Sequence, residues 1–167
     1  SRVSVLSSPS QYGQIISEMM GSNGHINFET RKELAVAGFE ATSFYDTLIF
    51  SFFQSKFSKN QFPVHASFGF EKLADCRYGE NYHQKAALYK EPFFSEPSVV
   101  FSQQLYGKEM SFNNFLDANS AIEIVKEFSQ PACSIIKHRI PCGAATAKTI
   151  SLAFEDAWKC DPKSSFG

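Results

Sequence analysis

The sequence predicts an α/β fold in which helices cover a mixed β-sheet. Short segments of alternating or continuous apolar residues recur in the second half of the chain, as expected for strands. Longer segments carry apolar residues at helical spacing behind residues typical of helix N-caps. Gly and Pro residues separate the two kinds of segment. Strands and helices that follow one another in this way are typical of a sheet with covering helices.

The first part of the chain is predicted to be mainly helical. Its predicted elements are a short strand at Arg2–Leu6, a helix that begins at Ser8-Pro9, a helix from Phe28 to about Phe39 capped by Asn27, and a third helical run through Tyr45 and Phe52. The polar segment Lys56–Pro63 ends in proline and is the predicted linker. We therefore divide the chain into residues 1–60 and residues 61–167.

The second part is predicted to supply the sheet. Its predicted strands are Ala66–Cys76, Ala86–Tyr89, Val99–Tyr106 and Cys133–His138. Its predicted helices are a long one from the Ser111 cap to Phe128 and a shorter one, Ile150–Lys159, capped by Thr149. Pro141 and Gly143 predict a break in regular structure between the last strand and the last helix.

Composition limits the class of protein. The chain has 167 residues, a formal net charge of −1 and 43% hydrophobic residues, which fits one domain or parts of two and indicates neither a nucleic-acid nor a membrane partner. The nearest candidate for a membrane span, Leu48–Phe53, is too short to cross a bilayer, and no signal peptide is visible. The 4 widely spaced cysteines predict reduced thiols in a cytoplasmic protein. The 18 phenylalanines predict a core rich in aromatic contacts.

The main candidate for chemistry lies in the segment Ile135–Gly143. Ile135 and Ile136 are typical of a buried strand, and the strand pattern stops at Lys137 and His138. A lysine and a histidine at the carboxyl end of a strand can accept a proton and stabilise a developing negative charge, although a solvated rim is the simpler interpretation. Neighbouring residues of a strand point to opposite faces, so both serve one site only if the strand ends or bulges between them.

Two further interpretations concern the cysteines. The residues that offer zinc-ligand types are His138, Cys133, Cys142 and Cys160. They lack the second cysteine and the glutamate of the zinc deaminase pattern, so we expect no metal. Cys142 near His138 is a weak candidate for a nucleophile, because most such cysteines are small buried hydrophobes.

Two anion sites are also compatible with the residues. Gly143-Ala144-Ala145 before a helix is a candidate phosphate cradle, since backbone N–H groups at a helix start bind anions. Arg77 with Tyr78 is a candidate for binding an anion and stacking on a ring. The residues alone therefore predict an α/β segment with a nucleotide or anion site.

Five motifs occur in one order along nearly the whole chain. They are Glu29-Thr30-Arg31 with Phe39, Thr42, Tyr45 and Asp46, similar to ETRxxLAxxAFxxTxxYD; Arg77–Gln84, similar to RYGENPHQ; Ser111–Ala118, similar to (S/Y)(Y/F)NN(I/L)xDxxA; Pro131–Gly143, similar to PACVIIKHxNPCG; and Cys160–Gly167, similar to CDPxSAFGG. Together they resemble the AICAR transformylase/IMP cyclohydrolase family, the bifunctional enzymes of late purine synthesis.

The resemblance implies a fold and an activity. It implies a cytidine-deaminase-like transformylase subdomain preceded by the helical end of the cyclohydrolase domain, within an internal fragment of a longer enzyme. The family transfers a formyl group from 10-formyltetrahydrofolate, as co-substrate, to AICAR during IMP synthesis, and its complete members are IMP cyclohydrolases as well. The family also implies a homodimer with transformylase sites at the dimer interface.

The resemblance assigns roles to six residues. By resemblance, His138 is the proton acceptor and Lys137 stabilises charge in the transition state. Arg77 and Tyr78 are expected to contact the AICAR nucleotide, with Asn113 and Asn114 lining the same pocket.

Two departures from the family motifs matter, and the first of them, together with the absent halves of both domains, leads to an alternative. Ile140 replaces an asparagine and cannot supply its hydrogen bonds, and Ala147 stands where glycine is common, which matters if that position has positive φ. The alternative is a truncated, non-catalytic relative that binds AICAR nucleotide or a partner subunit. A hydrolase that uses Cys142 is a third, weaker interpretation.

Overall fold

The computed structural model describes residues 3–165, in two compact units, one up to Phe70 and the other from Glu71 onward. The first unit contains a 3-10 turn at Pro9–Gln11 and the helices α1 (Tyr12–Gly21) and α2 (Phe28–Phe57). The second unit contains β1 (Glu71–Asp75), β2 (Ala87–Lys90), a 3-10 turn at Val99–Phe101, α3 (Phe112–Lys126), β3 (Ala132–Lys137), β4 (Ile140–Thr146) and α4 (Ile150–Cys160). This content confirms the α/β class, while the functional division at residue 60 stays a prediction.

The helices α2, α3 and α4 begin at the positions that their capping residues predicted. The predicted caps are Asn27, Ser111 and Thr149, and each accepts a backbone N–H of the following turn. Ser8 does the same for the 3-10 turn at Pro9–Gln11. The Asn27 Oδ1 atom, for example, accepts the N–H of Thr30 at 2.9 Å. Since the first N–H groups of a helix have no partner inside it, these bonds fix where each helix starts.

Glu18 joins α1 to the start of α2. Its carboxylate accepts the backbone N–H of Asn27 at 2.6 Å and the hydroxyl of Thr30 at 2.7 Å. These hydrogen bonds, with the Asn27 amide as the largest contribution, hold the pKa of Glu18 below its ordinary value. A carboxylate at a helix start is also favoured by the helix dipole.

The prediction of two separate helices over Phe28–Phe57 is wrong, because α2 is one helix of 30 residues. Thr42 and Ser43 do not cap a new helix. Their hydroxyls donate to the carbonyls of Gly38 and Glu40, both at 3.1 Å, within the same helix.

The predicted strand at Arg2–Leu6 is wrong in its described part. The backbone of Val3–Leu6 has no regular secondary structure, and Arg2 lies outside the described residues. None of the helices in residues 3–165 combines the length and hydropathy needed to cross a membrane.

The sheet architecture also differs from the prediction. Within residues 3–165 the strands form two separate antiparallel pairs, β1 with β2 and β3 with β4, so the expected single mixed sheet is wrong. The predicted strand Val99–Tyr106 is wrong as well, since only a 3-10 turn forms there. The Gln104 side chain instead donates to the carbonyls of Tyr106 and Lys108, at 3.1 and 2.8 Å, which stabilises a loop.

The segment predicted to break regular structure is a strand. Pro141 and Gly143 lie within β4, opposite Ile136 and Ile135 of β3, and Cys142 is the extra residue of a bulge. A bulge accommodates proline because one ladder position there is unpaired. Ala147 is absent from the residues with positive φ in the described chain, so the strain that its replacement of glycine suggested does not arise.

Helix α4 packs on both strands of the β3–β4 hairpin, and α3 packs on β3. The small residues Ala153 and Ala157 of α4 are fully buried. Gly143 of β4 is buried against this helix. A Cβ atom at this position would lie only 2.0 Å from the carbonyl oxygen of Ala157, so no larger residue fits there. Close approach of strand and helix therefore depends on small side chains on both elements.

The buried apolar core of the described residues is small. Its hydrophobic members are Ile15, Leu34, Ala153 and Ala157. The expected core of phenylalanines is wrong, since each described Phe is half-buried or exposed. Aromatic pairs do form at the surface, such as the stacked rings of Phe94 and Phe101, with centroids 6.1 Å apart.

Candidate active site

The Arg77–Gln84 segment belongs to the loop that connects β1 to β2. The loop is held by its own backbone, since the Gly79 N–H donates to the Gln84 carbonyl at 2.8 Å. The Asn81 N–H donates to the Gln84 side-chain oxygen, also at 2.8 Å. Gly79 is buried, and a Cβ atom there would lie 2.8 Å from the Gln84 Cβ. The glycine therefore permits a tight fold that presents its neighbours at the loop surface.

Arg77 and Tyr78 form a local pair at the start of this loop. The Arg77 guanidinium carbon lies 4.9 Å from the centre of the Tyr78 ring, and its Nη2 donates to the phenol oxygen at 3.3 Å. That hydrogen bond, with a smaller one from Ser111 and the Arg77 charge, lowers the pKa of Tyr78. Arg77 is exposed and Tyr78 half-buried, so a cation and an aromatic ring lie side by side at the loop surface, as anion and ring recognition require.

The same loop is fastened to the beginning of α3. The Arg77 N–H donates to the Met110 carbonyl at 3.1 Å, and the Phe112 N–H donates to the Tyr78 carbonyl at 3.1 Å. The Asn113 Nδ2 atom donates to the Glu80 carbonyl at 3.0 Å. Three hydrogen bonds thus fix the position of the Arg77–Tyr78 pair relative to one helix end.

Asn113 and Asn114 have structural contacts of their own. Asn114 completes the capping box of α3, because its Oδ1 accepts the N–H of buried Ser111 at 3.0 Å and the Ser111 hydroxyl at 2.8 Å. Asn113 holds the Arg77–Gln84 loop, as described above. Their predicted contact with substrate stays a prediction.

The Lys137-His138 pair lies where β3 ends. Lys137 is the last residue of the strand and is half-buried, whereas His138 is exposed. His138 and Arg139 form the tight turn to β4 and have positive φ values of 50° and 66°. Two such residues in succession are the signature of a type I′ hairpin turn. The strand therefore does end between the lysine and the histidine, which was the condition for both to serve one site.

The turn needs support from outside, because neither central residue is glycine or asparagine. Each left-handed non-glycine residue costs roughly 1–2 kcal/mol. The Asp117 Oδ1 atom of α3 accepts the N–H of Arg139 at 2.8 Å. A hydrogen bond from an amide to a carboxylate is among the stronger ones in proteins, so this contact offsets part of the strain.

The turn that follows α4 lies beside this hairpin, near Cys142 and Lys137. Within it, the hydroxyl and N–H of Ser164 and, in smaller measure, the charge of Lys137 lower the pKa of Asp161. The Cys142 Sγ atom lies 3.9 Å from the Ser165 hydroxyl and donates to the Ile135 carbonyl at 3.4 Å. The lysine therefore lies in the field of a carboxylate near the strand end.

The structure also bears on the phosphate cradle, the metal site and the Cys142 nucleophile considered from the sequence. The phosphate cradle at Gly143-Ala144-Ala145 is wrong, since these residues pair in β4 and do not form a loop before a helix. Within the part of the chain that the structure describes, no group of three or more His, Cys, Asp or Glu side chains is placed to hold a metal ion. The Cys142 thiol is half-buried and bonds to the hairpin itself.

Helix α3 is the link between the two candidate segments. Asn113 contacts the Arg77–Gln84 loop and Asp117 contacts the His138–Arg139 turn. Being four residues apart, these two side chains lie on the same side of the helix, about 6 Å apart along its axis. The role of Asp117 was missed in the sequence, although it lies in the Ser111–Ala118 motif.

The whole chain matches one protein family. A profile of the family described as AICARFT/IMPCHase bienzyme matches residues 1–167. The chain belongs to this family. The matched range includes the segments around Arg77, Asn113 and Lys137.

Three bacterial proteins show the extent of the similarity. Each is named bifunctional purine biosynthesis protein PurH. The chain is 43% identical to that of Oceanobacillus iheyensis over 165 residues, 45% to that of Persephonella marina over 167, and 41% to that of Caldicellulosiruptor saccharolyticus over 167. Each alignment covers 99% of this chain and 32% of the relative, so the chain spans about a third of the length of these relatives.

Proposed function

We propose that this chain supplies part of the site that transfers a formyl group from 10-formyltetrahydrofolate to the 5-amino group of AICAR. The complete protein would also carry the IMP cyclohydrolase activity of a bifunctional purine biosynthesis enzyme. One observation carries the proposal: the loop that contains Arg77 and Tyr78 and the turn that contains His138 are both hydrogen-bonded to the same side of α3. Lys137 lies at the end of β3, directly before that turn. Membership of the bienzyme family supports this assignment.

His138 would act as the proton acceptor. The amine of AICAR is a poor nucleophile because its lone pair is delocalised into the ring that bears the carboxamide. As its nitrogen bonds to the formyl carbon, His138 takes the amine proton. The bond from the formyl carbon to N10 of the folate then breaks, and that nitrogen receives a proton as tetrahydrofolate leaves. Exposure of His138 at the tip of a turn leaves its imidazole accessible to substrate.

Lys137 would stabilise the oxyanion that forms on the formyl oxygen. An ammonium group held at the end of a strand is a fixed positive charge beside the reacting carbon. Its half-buried position strengthens that interaction, because charges act more strongly away from bulk water.

Arg77 and Tyr78 would bind the AICAR nucleotide. The exposed guanidinium suits the phosphate group, and the neighbouring ring offers a face to the imidazole. The proposal keeps Asn113 and Asn114 at the edge of the same pocket. It also includes a cytoplasmic location and a homodimer, as the family resemblance implied.

The test is the rate of formyl transfer by a full-length enzyme that contains these residues. We expect His138→Ala to lower kcat by about 10²- to 10⁴-fold, the usual contribution of a general base. We expect Lys137→Ala to lower it by about 10²- to 10³-fold, as loss of an oxyanion donor does. Calorimetry should show weaker AICAR nucleotide binding for Arg77→Ala.

Matched controls use exposed residues of the same types. His25 lies between α1 and α2, and Lys148 lies between β4 and α4, both exposed. His25→Ala and Lys148→Ala should retain wild-type transfer. Full activity of His138→Ala would contradict the role of His138, and unchanged nucleotide affinity in Arg77→Ala would contradict the binding role.

A further inference from the structure

Asp117 is the side chain through which α3 reaches the turn that carries His138. It is half-buried in the helix, and its Oδ1 accepts the Arg139 N–H at 2.8 Å. The contact spans 22 positions of sequence, so it is a tertiary contact rather than a local turn bond. It ends on the backbone of the residue that directly follows His138.

The turn is a conformation that its own residues do not favour. His138 and Arg139 both have positive φ, at 50° and 66°. Asn-Gly is the usual sequence of such a turn, because those residues adopt positive φ readily. Here neither is present, so the direction of the His138 side chain depends on contacts made by neighbouring elements.

We infer that Asp117 is a positioning residue for His138. Its carboxylate holds the Arg139 amide, keeps the turn left-handed and thereby fixes the direction of the imidazole. The inference rests on the proposed role of His138 in formyl transfer. Because Asn113 holds the Arg77–Gln84 loop one helical turn away, the same helix sets the distance between the nucleotide-binding pair and the proton acceptor.

The inference is tested in the full-length enzyme with three variants. Asp117→Ala removes the acceptor, whereas Asp117→Asn keeps an oxygen that can accept the Arg139 amide. We expect Asp117→Ala to lower kcat by about 10- to 100-fold, since small misplacements of a catalytic group have effects of this size. We expect the KM for AICAR to change less than about twofold, because the nucleotide-binding pair is held by other contacts. Asp117→Asn should remain within about threefold of wild type.

The third variant tests whether strain in the left-handed turn causes the loss of kcat. Glycine adopts positive φ without strain, so Asp117→Ala combined with Arg139→Gly should recover part of the lost kcat. Arg139→Gly alone should remain close to wild type. A role of Asp117 that does not act through the turn predicts no such recovery, since the double variant removes still more contacts.

Amide hydrogen exchange gives a readout that does not depend on catalysis. In Asp117→Ala, the peptide that covers β3 and the turn should exchange faster at Arg139, whereas Asp117→Asn should exchange nearly as wild type does. Equal acceleration in both variants would overturn the inference. Should Asp117→Ala fail to fold, Asp117→Glu takes its place, because the longer carboxylate displaces the turn, and the inference then requires a loss of kcat in folded enzyme.

The outcomes separate this inference from the proposed function. Unchanged kcat in Asp117→Ala, with activity lost in His138→Ala, overturns the positioning role and leaves the proposed function in place. Full activity in His138→Ala overturns the proposed function, and the inference about catalytic positioning falls with it.

Discussion

Gly143 is the residue at which β4 and α4 approach most closely. A Cβ atom at this position would lie 2.0 Å from the Ala157 carbonyl oxygen, and backbone cannot move aside as a flexible side chain does. We therefore expect Gly143→Ala to lower the free energy of unfolding by about 1–3 kcal/mol or more, the usual cost of overpacking. Urea denaturation of the chain measures this.

Gly38 supplies the matched control for Gly143→Ala. It lies within α2, and a Cβ atom added there would meet nothing within 4 Å beyond the backbone of its own helix turn. Gly38→Ala should raise stability by up to about 1 kcal/mol, because alanine favours helix more than glycine does. Equal effects of the two substitutions would contradict the close contact between β4 and α4.

Tyr78 reports on the Arg77 side chain through its acidity. The hydrogen bond from Arg77, the smaller one from Ser111 and the Arg77 charge lower the Tyr78 pKa below its ordinary value of 10.0. Arg77→Met removes the first and third of these, so the pKa should rise toward that value. A ¹³C NMR titration of the tyrosines, with Tyr78→Phe to assign the signal, measures the change.

The direction of the Tyr78 pKa shift decides the pH range in which it stabilises the fold. A lowered tyrosine pKa stabilises the folded state above the ordinary pKa of 10.0, and the gain is lost as pH falls through the lowered value. Arg77→Met should thus leave stability at pH 7 unchanged by this route. Arg139→Met is the control, since Arg139 is not among the groups that shift Tyr78. An unmoved Tyr78 pKa in Arg77→Met would disprove the pairing.

Helix α3 is the element that organises the candidate site, and its cap is buried. Ser111 is 1% exposed, and its Oγ accepts the Asn114 N–H at 3.3 Å. We expect Ser111→Ala to lower the free energy of unfolding by about 1 kcal/mol, as loss of a cap does. It should also weaken AICAR nucleotide binding in the full-length enzyme, because Met110 and Phe112 on either side of the cap hold Arg77 and Tyr78.

Thr149→Ala is the control for Ser111→Ala, because it removes the N-cap of another helix, α4. Thr149 caps α4 by accepting the Leu152 N–H at 3.3 Å, so its loss should have a similar effect on stability. Thr149 does not hold the residues that contact Arg77 and Tyr78, so Thr149→Ala should leave the affinity for AICAR nucleotide unchanged. A loss of affinity as large as that of Ser111→Ala would show that general destabilisation, not the α3 cap, is responsible.

Helix starts were the elements that the sequence could predict. Capping depends on a side chain and a backbone group within three residues, as at Asn27 and Ser111, so local sequence holds the information. The end of α2 was harder to place, because Thr42 and Ser43 resemble caps but bond to carbonyls behind them. The same hydroxyl can cap a new helix or bond to a carbonyl of a continuing one, so the residue type does not decide between the two.

Strand β4 was the element that the sequence did not predict, whereas its partner β3 lies close to the predicted strand Cys133–His138. In β4, Gly143 and its alanine neighbours have low strand propensity, and pairing with β3 is what makes the segment extended. The turn at His138 and Arg139 has none of the usual Asn-Gly signal. The candidate residues were found through family motifs, whereas the support from Asp117 depends on a contact 22 positions away.

At the scale of the whole molecule, much apolar surface is open to solvent. Exposed phenylalanines of the first unit include Phe39, Phe53 and Phe57. The buried apolar residues in the described part of that unit are Ile15 and Leu34, one on each of its two helices. Each helix therefore presents most of its large apolar side chains to solvent, where they are available to cover further parts of a longer protein.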